Sequence, residues 1–457
     1  MPDPGLKPQP VRADGLVARR MASQVIEDVI RRRQPLDEQL EKLSRTPGFL
    51  ALQPNDRGLT RAITMAALRR LGLIRHALAG RMQQGFPPRG GNLESIMISA
   101  AAQILVLETA AHAAVDTAVT LVREDKHARH FADLANAVLR RIAVEKQAIL
   151  SEADPLARDT PEWLAARWRR AHGDETASAI AHAHLHEPSI DLTVKSDPEG
   201  WAERLGGILL PTGSIRLTIR TAVPQLPGFA EGEWWVQDAA AALPARLLGA
   251  QPGETVLDLC AAPGGKTAQL AMTGARVIAV DRSAPRLVRL KENLARLKLT
   301  AETHVADAAA FRPDQPPDRI LIDAPCSATG TIRRHPDVAW SKTLEDIHKL
   351  AALQARLLDH AAELVKPGGT IVYATCSLEP EEGEEQVKRF LARRAGFRRS
   401  PVRPEEIGGQ AQLISEAGDL RCLPSHWPDP VDRLAGMDGF FAARLVCAGN
   451  PSLAGDP

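Results

Sequence analysis

The sequence predicts a multidomain protein in three parts: an all-α N-terminal domain, a small α+β linker domain and a Rossmann-like α/β domain. Three observations predict it. Residues 19–150 are rich in alanine and leucine, with apolar residues at helical spacing and almost no β-branched runs. After about residue 189, Ile190-Asp-Leu-Thr-Val and Ile215-Arg-Leu-Thr-Ile alternate as half-buried strands do. From Gly253 onward, apolar strand candidates alternate with helical stretches, the signature of a doubly wound parallel sheet. A chain of 457 residues is also too long for one compact core.

Residues 1–18 are rich in proline and glycine and are expected to form a disordered tail. The helical domain, residues 19–150, carries helix patterns over 21–29, 59–78, 93–122 and 131–150. They are broken by Thr46-Pro-Gly, by Gly85-Phe-Pro-Pro-Arg-Gly-Gly and by the charged run 123–130. Residues 151–230 form the linker and small α+β part, punctuated by Asp154-Pro and Thr160-Pro. Pro161 suits a first helical turn, where its missing N–H costs nothing. His182, His184 and His186 have the period of an exposed strand face or a loop, and no cysteine or carboxylate cluster joins them, so no metal site is expected. In the α/β domain, residues 231–448, strands are predicted over 255–260, 276–281, 303–307, 319–325 and 370–376, with helices over 285–299 and 344–365. A last strand over 439–447 closes the edge, and 449–457 is a tail.

The bulk composition excludes several classes. Hydrophobic content of 44% and charged content of 25% are ordinary for a soluble globular protein. The N-terminus lacks the apolar region of a secretory signal. The longest apolar stretch, 95–115, is interrupted by Gln103, Glu108 and His112, which fits a buried helix better than a bilayer span. Five cysteines, at 260, 326, 376, 422 and 447, form no CxxC pair, which favours reduced thiols in the cytoplasm. Residues 1–150 hold 22 lysines and arginines against 15 acids, a surplus of +7 in a chain of net charge +1. Between 57 and 93 stand seven arginines and no acid, including Arg57, Arg61, Arg69 and Arg70. Arginine forks suit phosphate, so this is either a nucleic-acid footprint or a solvated helix face with its acids elsewhere in the fold.

Three motifs carry chemistry. The first predicted strand of the α/β domain runs into Leu257-Asp-Leu-Cys-Ala-Ala-Pro-Gly-Gly-Lys-Thr267. Its small residues let a backbone approach a ligand, and the following helix presents free N–H groups. As a Walker A loop it has the final Gly265-Lys266-Thr267, but Cys260 stands where the first glycine belongs, and Pro263 stiffens the turn. A nucleoside pocket fits better. Asp281, Asp307 and Asp323 end three successive strands, where carboxylates meet a ribose, an adenine amino group and a cationic tail. S-adenosyl-L-methionine has all three, and no metal is required. Asp323 is followed by Cys326, and a second thiol, Cys376, ends another buried strand.

The loop 257–267, Asp323-Ala-Pro-Cys-Ser-Ala-Thr-Gly330 and Tyr373-Ala-Thr-Cys-Ser-Leu-Glu-Pro380 resemble three signature motifs of the RNA (cytosine-C5)-methyltransferases. Trp235-Val-Gln-Asp238 and Asp438-Gly-Phe-Phe441 also fit, so that the similarity covers roughly residues 160–448. Asp56-Arg-Gly-Leu-Thr-Arg-Ala and Ala135-Asn-Ala-Val-Leu-Arg-Arg141 resemble a NusB-like RNA-binding domain. Together they resemble the bacterial RsmB/Fmu type, which modifies small-subunit ribosomal RNA. The resemblance implies a class I methyltransferase fold and Cys376 as the nucleophile that adds to carbon 6 of cytosine. It makes Cys326 the group assisting release, as general base or through a water; on chemical grounds Asp323 is the candidate for the acid at the ring's N3 edge. The cofactor site would comprise Cys260, Ala261, Ala262, Pro263, Gly264, Gly265, Lys266, Asp281, Arg286, Asp307 and Asp323. A monomeric cytoplasmic enzyme acting on ribosomal RNA, with no membrane partner, is expected. The rival readings are a non-catalytic RNA-binding ribosome-assembly factor and a P-loop-type ATPase.

Overall fold

The computed structural model describes residues 13–219 and 221–448. They fall into two compact units: residues up to Ala166 together with His335–Ser341, and Arg167–Arg334 together with the residues from Lys342 on. This division differs from the expected boundaries, since the helical unit runs past 150 and takes in a short segment from the α/β part of the sequence.

The first unit is helical throughout. Helix α1 (Ala13–Ile30) starts inside the segment expected to be disordered, whose residues 1–12 lie outside the described residues. Two long helix patterns are each split in the structure. Helices α2 (Pro54–Arg69) and α3 (Leu71–Ala79) are separated by Arg70, which leaves helical geometry at ψ 25°. Helices α4 (Leu93–Leu105) and α5 (Ala111–Glu124) are separated at Glu108, whose φ of 54° lies in the left-handed region that a right-handed helix does not continue through. Helix α6 (Ala132–Val144) completes the bundle. Its core includes Ile26, Ile63, Leu68, Ile74, Met97, Ile98 and Leu139, all fully buried. The segment 335–341 joins this unit through Asp337, which accepts the Leu36 N–H at 3.0 Å, and Trp340, whose indole donates to the Leu68 carbonyl at 3.1 Å.

The second unit starts with helices α7 (Glu162–His172, from Arg167 on) and α8 (Asp174–Ala183). His182 lies on α8 and His184 caps it, buried edge-on to Trp168, and only His186 lies in a loop, so the three histidines do not share the strand or loop face that their spacing suggested. No group of three or more metal-ligating side chains occurs among the described residues. A four-stranded antiparallel sheet follows: β1 (Asp191–Val194), β2 (Gly207–Leu209), β3 (Ile215–Leu217) and β4 (Trp234–Val236), in the order β2-β3-β1-β4. It extends past residue 230, and β3 is buried on both faces rather than half-buried.

The larger sheet comprises β5 (Thr255–Leu259), β6 (Arg276–Asp281), β7 (Glu302–Val305), β8 (Arg319–Asp323), β9 (Thr370–Thr375), β10 (Phe397–Arg399), β11 (Leu420–Cys422) and β12 (Phe440–Cys447). Its order is β10-β12-β9-β8-β5-β6-β7, with β11 paired to β12. Strands β5 to β9 are parallel; β5, β6, β8 and β9 are nearly continuous apolar runs, as strands covered on both faces must be, whereas β7 at the sheet edge is polar and largely exposed. The sheet is mixed rather than wholly parallel: β12 runs antiparallel beside β9 and is not the edge, because β10 lies outside it. Helices α9 (Gly265–Met272), α10 (Ala284–Leu297), α11 (Leu344–Leu364) and α12 (Glu384–Arg393) connect the strands. Among the described residues no helix is long and apolar enough to cross a membrane.

Candidate active site

Register brings the two thiols together. Strands β8 and β9 are parallel neighbours with Asp323 opposite Ala374, and the Ala324 N–H donates to the Ala374 carbonyl at 2.9 Å. Both chains then leave the sheet at its carboxyl end, and Cys326 Sγ lies 3.4 Å from Cys376 Sγ. Neither residue is fully buried. The hydrogen bond to Cys376, burial and the nearby Glu382 carboxylate hold the Cys326 thiol well above its ordinary range. Gly330 closes the site from behind. Its N–H donates to the Cys376 carbonyl at 3.0 Å, and it packs so tightly on Gly439 that a Cβ would fall 2.0 Å from the Gly439 carbonyl oxygen. That contact accounts for the glycine in each of the two motifs.

Two cavities border the segment that leads into Cys326, one at Asp323 and the other at Pro325. One, of about 380 Å³, is lined by Trp235, Gln237, Asp238, Asp258, Pro263, Gly264, Gly265, Lys266, Asp323 and Arg334, among others. Here the Lys266 ammonium donates to Asp323 Oδ2 at 2.7 Å and sits 4.9 Å from the centre of the Phe440 ring. Arg334 is paired to the buried Asp438, whose N–H in turn contacts Asp238 at 3.2 Å. Burial and the nearby Asp438 charge push the Asp238 carboxyl up to about 7. The second cavity, of about 350 Å³, is lined by Cys260, Asp281, Arg282, Arg286, Asp307, Ala308, Pro325, Leu353, Arg356 and Leu357. Asp281 is oriented by two backbone donors, Ser283 N–H at 2.8 Å and Ala262 N–H at 3.1 Å, with Arg286 Nη1 3.5 Å away. Arg286 also donates to the Ala262 carbonyl, tying the loop to α10.

The structure thus divides the predicted site residues. Asp281, Asp307, Arg286 and Cys260 line the second cavity. Asp323, Lys266, Gly264, Gly265, Pro263 and Ala261 line the first, on the side of the Lys266–Asp323 pair, and Ala262 joins the two through its N–H to Asp281. Gly264 adopts φ 103°, and a Cβ there would lie 2.7 Å from Leu290 Cγ, so the loop lies directly on α10. Burial pushes the Cys260 thiol up to about 12, leaving it a neutral wall. The four arginines of the helical unit do not share one free face: Arg57 is half-buried and Arg61 exposed, but Arg69 is buried and Arg70 is paired at 2.9 Å with Asp159.

Asp258 carries a signal that strand periodicity hides. It sits mid-strand in β5, fully buried, accepting from Thr267 Oγ1 at 2.6 Å, and burial pushes its carboxyl up to about 7. The unfolded value is about 3.9, so the folded state holds a proton that the unfolded chain has released. The stability from this group is therefore complete below about pH 4 and lost as pH rises to about 7, a difference of a few kcal/mol. Asp258→Asn is expected to flatten that decline in urea melts taken across this range; an unchanged pH slope would show the carboxyl ionised in the fold.

A mixed sheet of this order, with a nucleoside-sized cavity at its strand ends and a helical unit in the same chain, defines a methyltransferase carrying an accessory helical domain. Residues 245–446 match the 16S rRNA methyltransferase RsmB/F family, and residues 16–144 match the NusB family. The chain is 37% identical over 413 residues to the ribosomal RNA small subunit methyltransferase B of Pseudomonas syringae pv. tomato, covering 86% of this chain and 89% of that one. It is 35% identical over 452 residues to the protein of the same name from Xanthomonas campestris pv. campestris, covering 95% and 98%. A methyltransferase homolog protein of Pyrococcus horikoshii, solved by crystallography, superposes with a TM-score of 0.54 at 29% identity, covering 65% of this chain and 99% of that one. The chain belongs to the RsmB/F family of 16S rRNA methyltransferases.

Proposed function

We propose that this chain transfers a methyl group from S-adenosyl-L-methionine to carbon 5 of a cytosine in small-subunit ribosomal RNA, through a Cys376 adduct at carbon 6. One observation carries the reading: two half-buried cysteines with sulfurs 3.4 Å apart at adjacent strand ends, one of them three residues beyond a carboxylate held by a lysine. The second cavity suits the cofactor. Asp281 keeps lone pairs for a ribose after accepting its two backbone N–H groups, Asp307 is exposed at the rim, and Leu353, Leu357 and Pro325 give an apolar wall. When bound, the cofactor supplies an electrophilic methyl group.

The chain's own residues do the rest. Cytosine carbon 5 is a weak nucleophile, and thiolate addition at carbon 6 converts it into an enamine carbon, splitting one hard step into easier ones. The Cys376 sulfur forms the bond to carbon 6, and charge develops on the ring's N3 side. That charge is negative, so Asp323 is proposed to meet the edge as a hydrogen-bonding acid that gives its proton to N3, and the Lys266 cation 2.7 Å away balances the carboxylate that results, a preorganised arrangement that costs no reorganisation as charge moves. After alkylation, Cys326 as thiolate takes the carbon-5 proton, and the electron pair released expels Cys376. A target base within a helix must first leave its stack, at a cost of a few kcal/mol.

The thiol pair favours this enzyme over a silent assembly factor, and Lys266 donating to Asp323 favours it over a phosphate-cradling ATPase. The test is to map 5-methylcytosine in ribosomal RNA from cells with and without the protein; an unchanged map overturns the reading. The helical unit is proposed to contact the RNA backbone. With Arg69 and Arg70 engaged internally, Arg57→Gln with Arg61→Gln is expected to lower the slope of log affinity against log salt by about 1 to 2. Arg70→Gln should instead lower the unit's melting temperature. An unchanged salt slope returns Arg57 and Arg61 to plain surface.

A further inference from the structure

Each thiol is followed by a serine, and both serines meet one buried acid. Glu382 has no exposed surface, yet it lies in Glu379-Pro-Glu-Glu-Gly-Glu-Glu385, a run that by composition belongs in solvent. Its carboxylate accepts the Ser327 N–H at 2.9 Å, the Ser327 hydroxyl, and the Ser377 hydroxyl at 2.6 Å. Gln354 from α11 donates to the same carboxylate at 3.0 Å and to the Pro325 carbonyl at 2.9 Å. The Glu382 backbone is held as well: Tyr373 donates to its carbonyl at 2.7 Å and Thr375 at 3.2 Å. The serine after each thiol is thereby tied to the Glu382 carboxylate, while Thr375, just before Cys376, is tied to the Glu382 backbone, and Pro325, just before Cys326, is tied through Gln354. Burying a carboxylate is costly unless its lone pairs are filled, and here they are filled by the two catalytic loops alone, plus the glutamine that braces them.

We infer that Glu382 is a positioning residue that clamps the Cys326 and Cys376 loops and fixes the spacing of the two thiols. The inference rests on the proposed two-thiol reaction for its consequence in turnover, but the spacing itself is measurable without it. Glu382 touches neither reacting atom. It acts through Ser327 and Ser377, and misplacement of reacting groups by about 1 Å costs rate on the order of a hundredfold.

The experiment uses the full chain and the variants Glu382→Gln and Ser327→Ala/Ser377→Ala, with the surface variant Glu385→Gln as control. A diazene oxidant (diamide) takes two electrons and two protons from the thiol pair and is reduced to its hydrazine, leaving a Cys326–Cys376 disulfide that peptide mass mapping detects. Wild type and control should form it readily, and the clamp variants about tenfold or more slowly. Affinity for S-adenosyl-L-methionine should stay within about threefold, since Asp281 and Asp307 are untouched, whereas kcat for methyl transfer falls by the larger factor. A general loss of structure would weaken cofactor binding as well. If Glu382→Gln does not fold, the double serine variant, which leaves the acid in place, gives the same readout. Disulfide formation at the wild-type rate in a folded clamp variant overturns the inference. Slowed disulfide formation in the clamp variants, with no 5-methylcytosine product from the wild type, would overturn the cytosine reading and leave the clamp standing.

Discussion

Cys376→Ala is expected to reduce methyl transfer by about 10⁴-fold or more, as loss of a covalent nucleophile does, and to yield no protein–RNA adduct. Cys326→Ala should lose turnover as well, but accumulate a covalent complex that survives a denaturing gel. The asymmetry follows from the order of events. At rest the two sulfurs share a hydrogen bond at 3.4 Å, and this bond is the largest influence holding Cys326 in its thiol form. In the proposed reaction, once Cys376 is spent on carbon 6 that bond is gone, and Cys326 would lose its proton to water more readily. It would then become a base only after the nucleophile has acted, when a base is needed. Removing Cys326 therefore stops the sequence after bond formation, and removing Cys376 stops it before. The reverse gel pattern would exchange the two roles. Undiminished turnover and no adduct in either variant would sink covalent catalysis here.

Much of the α/β unit was legible because buried parallel strands write themselves as apolar runs. The strand expected over 276–281 coincides with β6, and those over 370–376 and 319–325 differ from β9 and β8 by no more than two residues. What periodicity cannot express is non-local. The antiparallel insertion of β12 between β9 and β10 depends on β10, a three-residue strand with no pattern of its own. In the helical unit, apolar spacing continued across Glu108 and Arg70, and only backbone conformations at those residues end the helices. The candidate site divides the same way. Strand-end aspartates and both thiols stood out as polar residues terminating apolar runs. Glu382 and Asp258 did not, one hidden in an acidic run and the other inside a strand, because burial and not spacing makes them significant. The one available cue to Glu382 was the repeated Cys-Ser pair at 326–327 and 376–377. The arginine run shows the converse error: a basic stretch of sequence became a free face only in part, since Arg69 and Arg70 turn inward.

Arg216→Met should destabilise the second unit by about 3–5 kcal/mol, the cost of leaving one member of a buried ion pair alone. Strands β1 and β3 pair Asp191 directly with Arg216, and the guanidinium meets both carboxylate oxygens at 2.7 Å with side-chain exposures of 1% and 4%. Arg216 also donates to the Leu434 carbonyl at 2.7 Å, and Asp191 Oδ2 accepts the Ala239 N–H at 3.2 Å, beside Asp238 on the wall of the first cavity. Methionine fills most of the volume but supplies no charge, so the Asp191 carboxylate stays buried near Asp238 and Asp438. The deficit is read in urea melts of the variant against the wild type. Adding Asp191→Leu to Arg216→Met should recover most of it, because an apolar pair of similar volume no longer carries an uncompensated charge. A double variant as unstable as the single one would mean that packing and the Leu434 contact, and not the stranded carboxylate, set the cost.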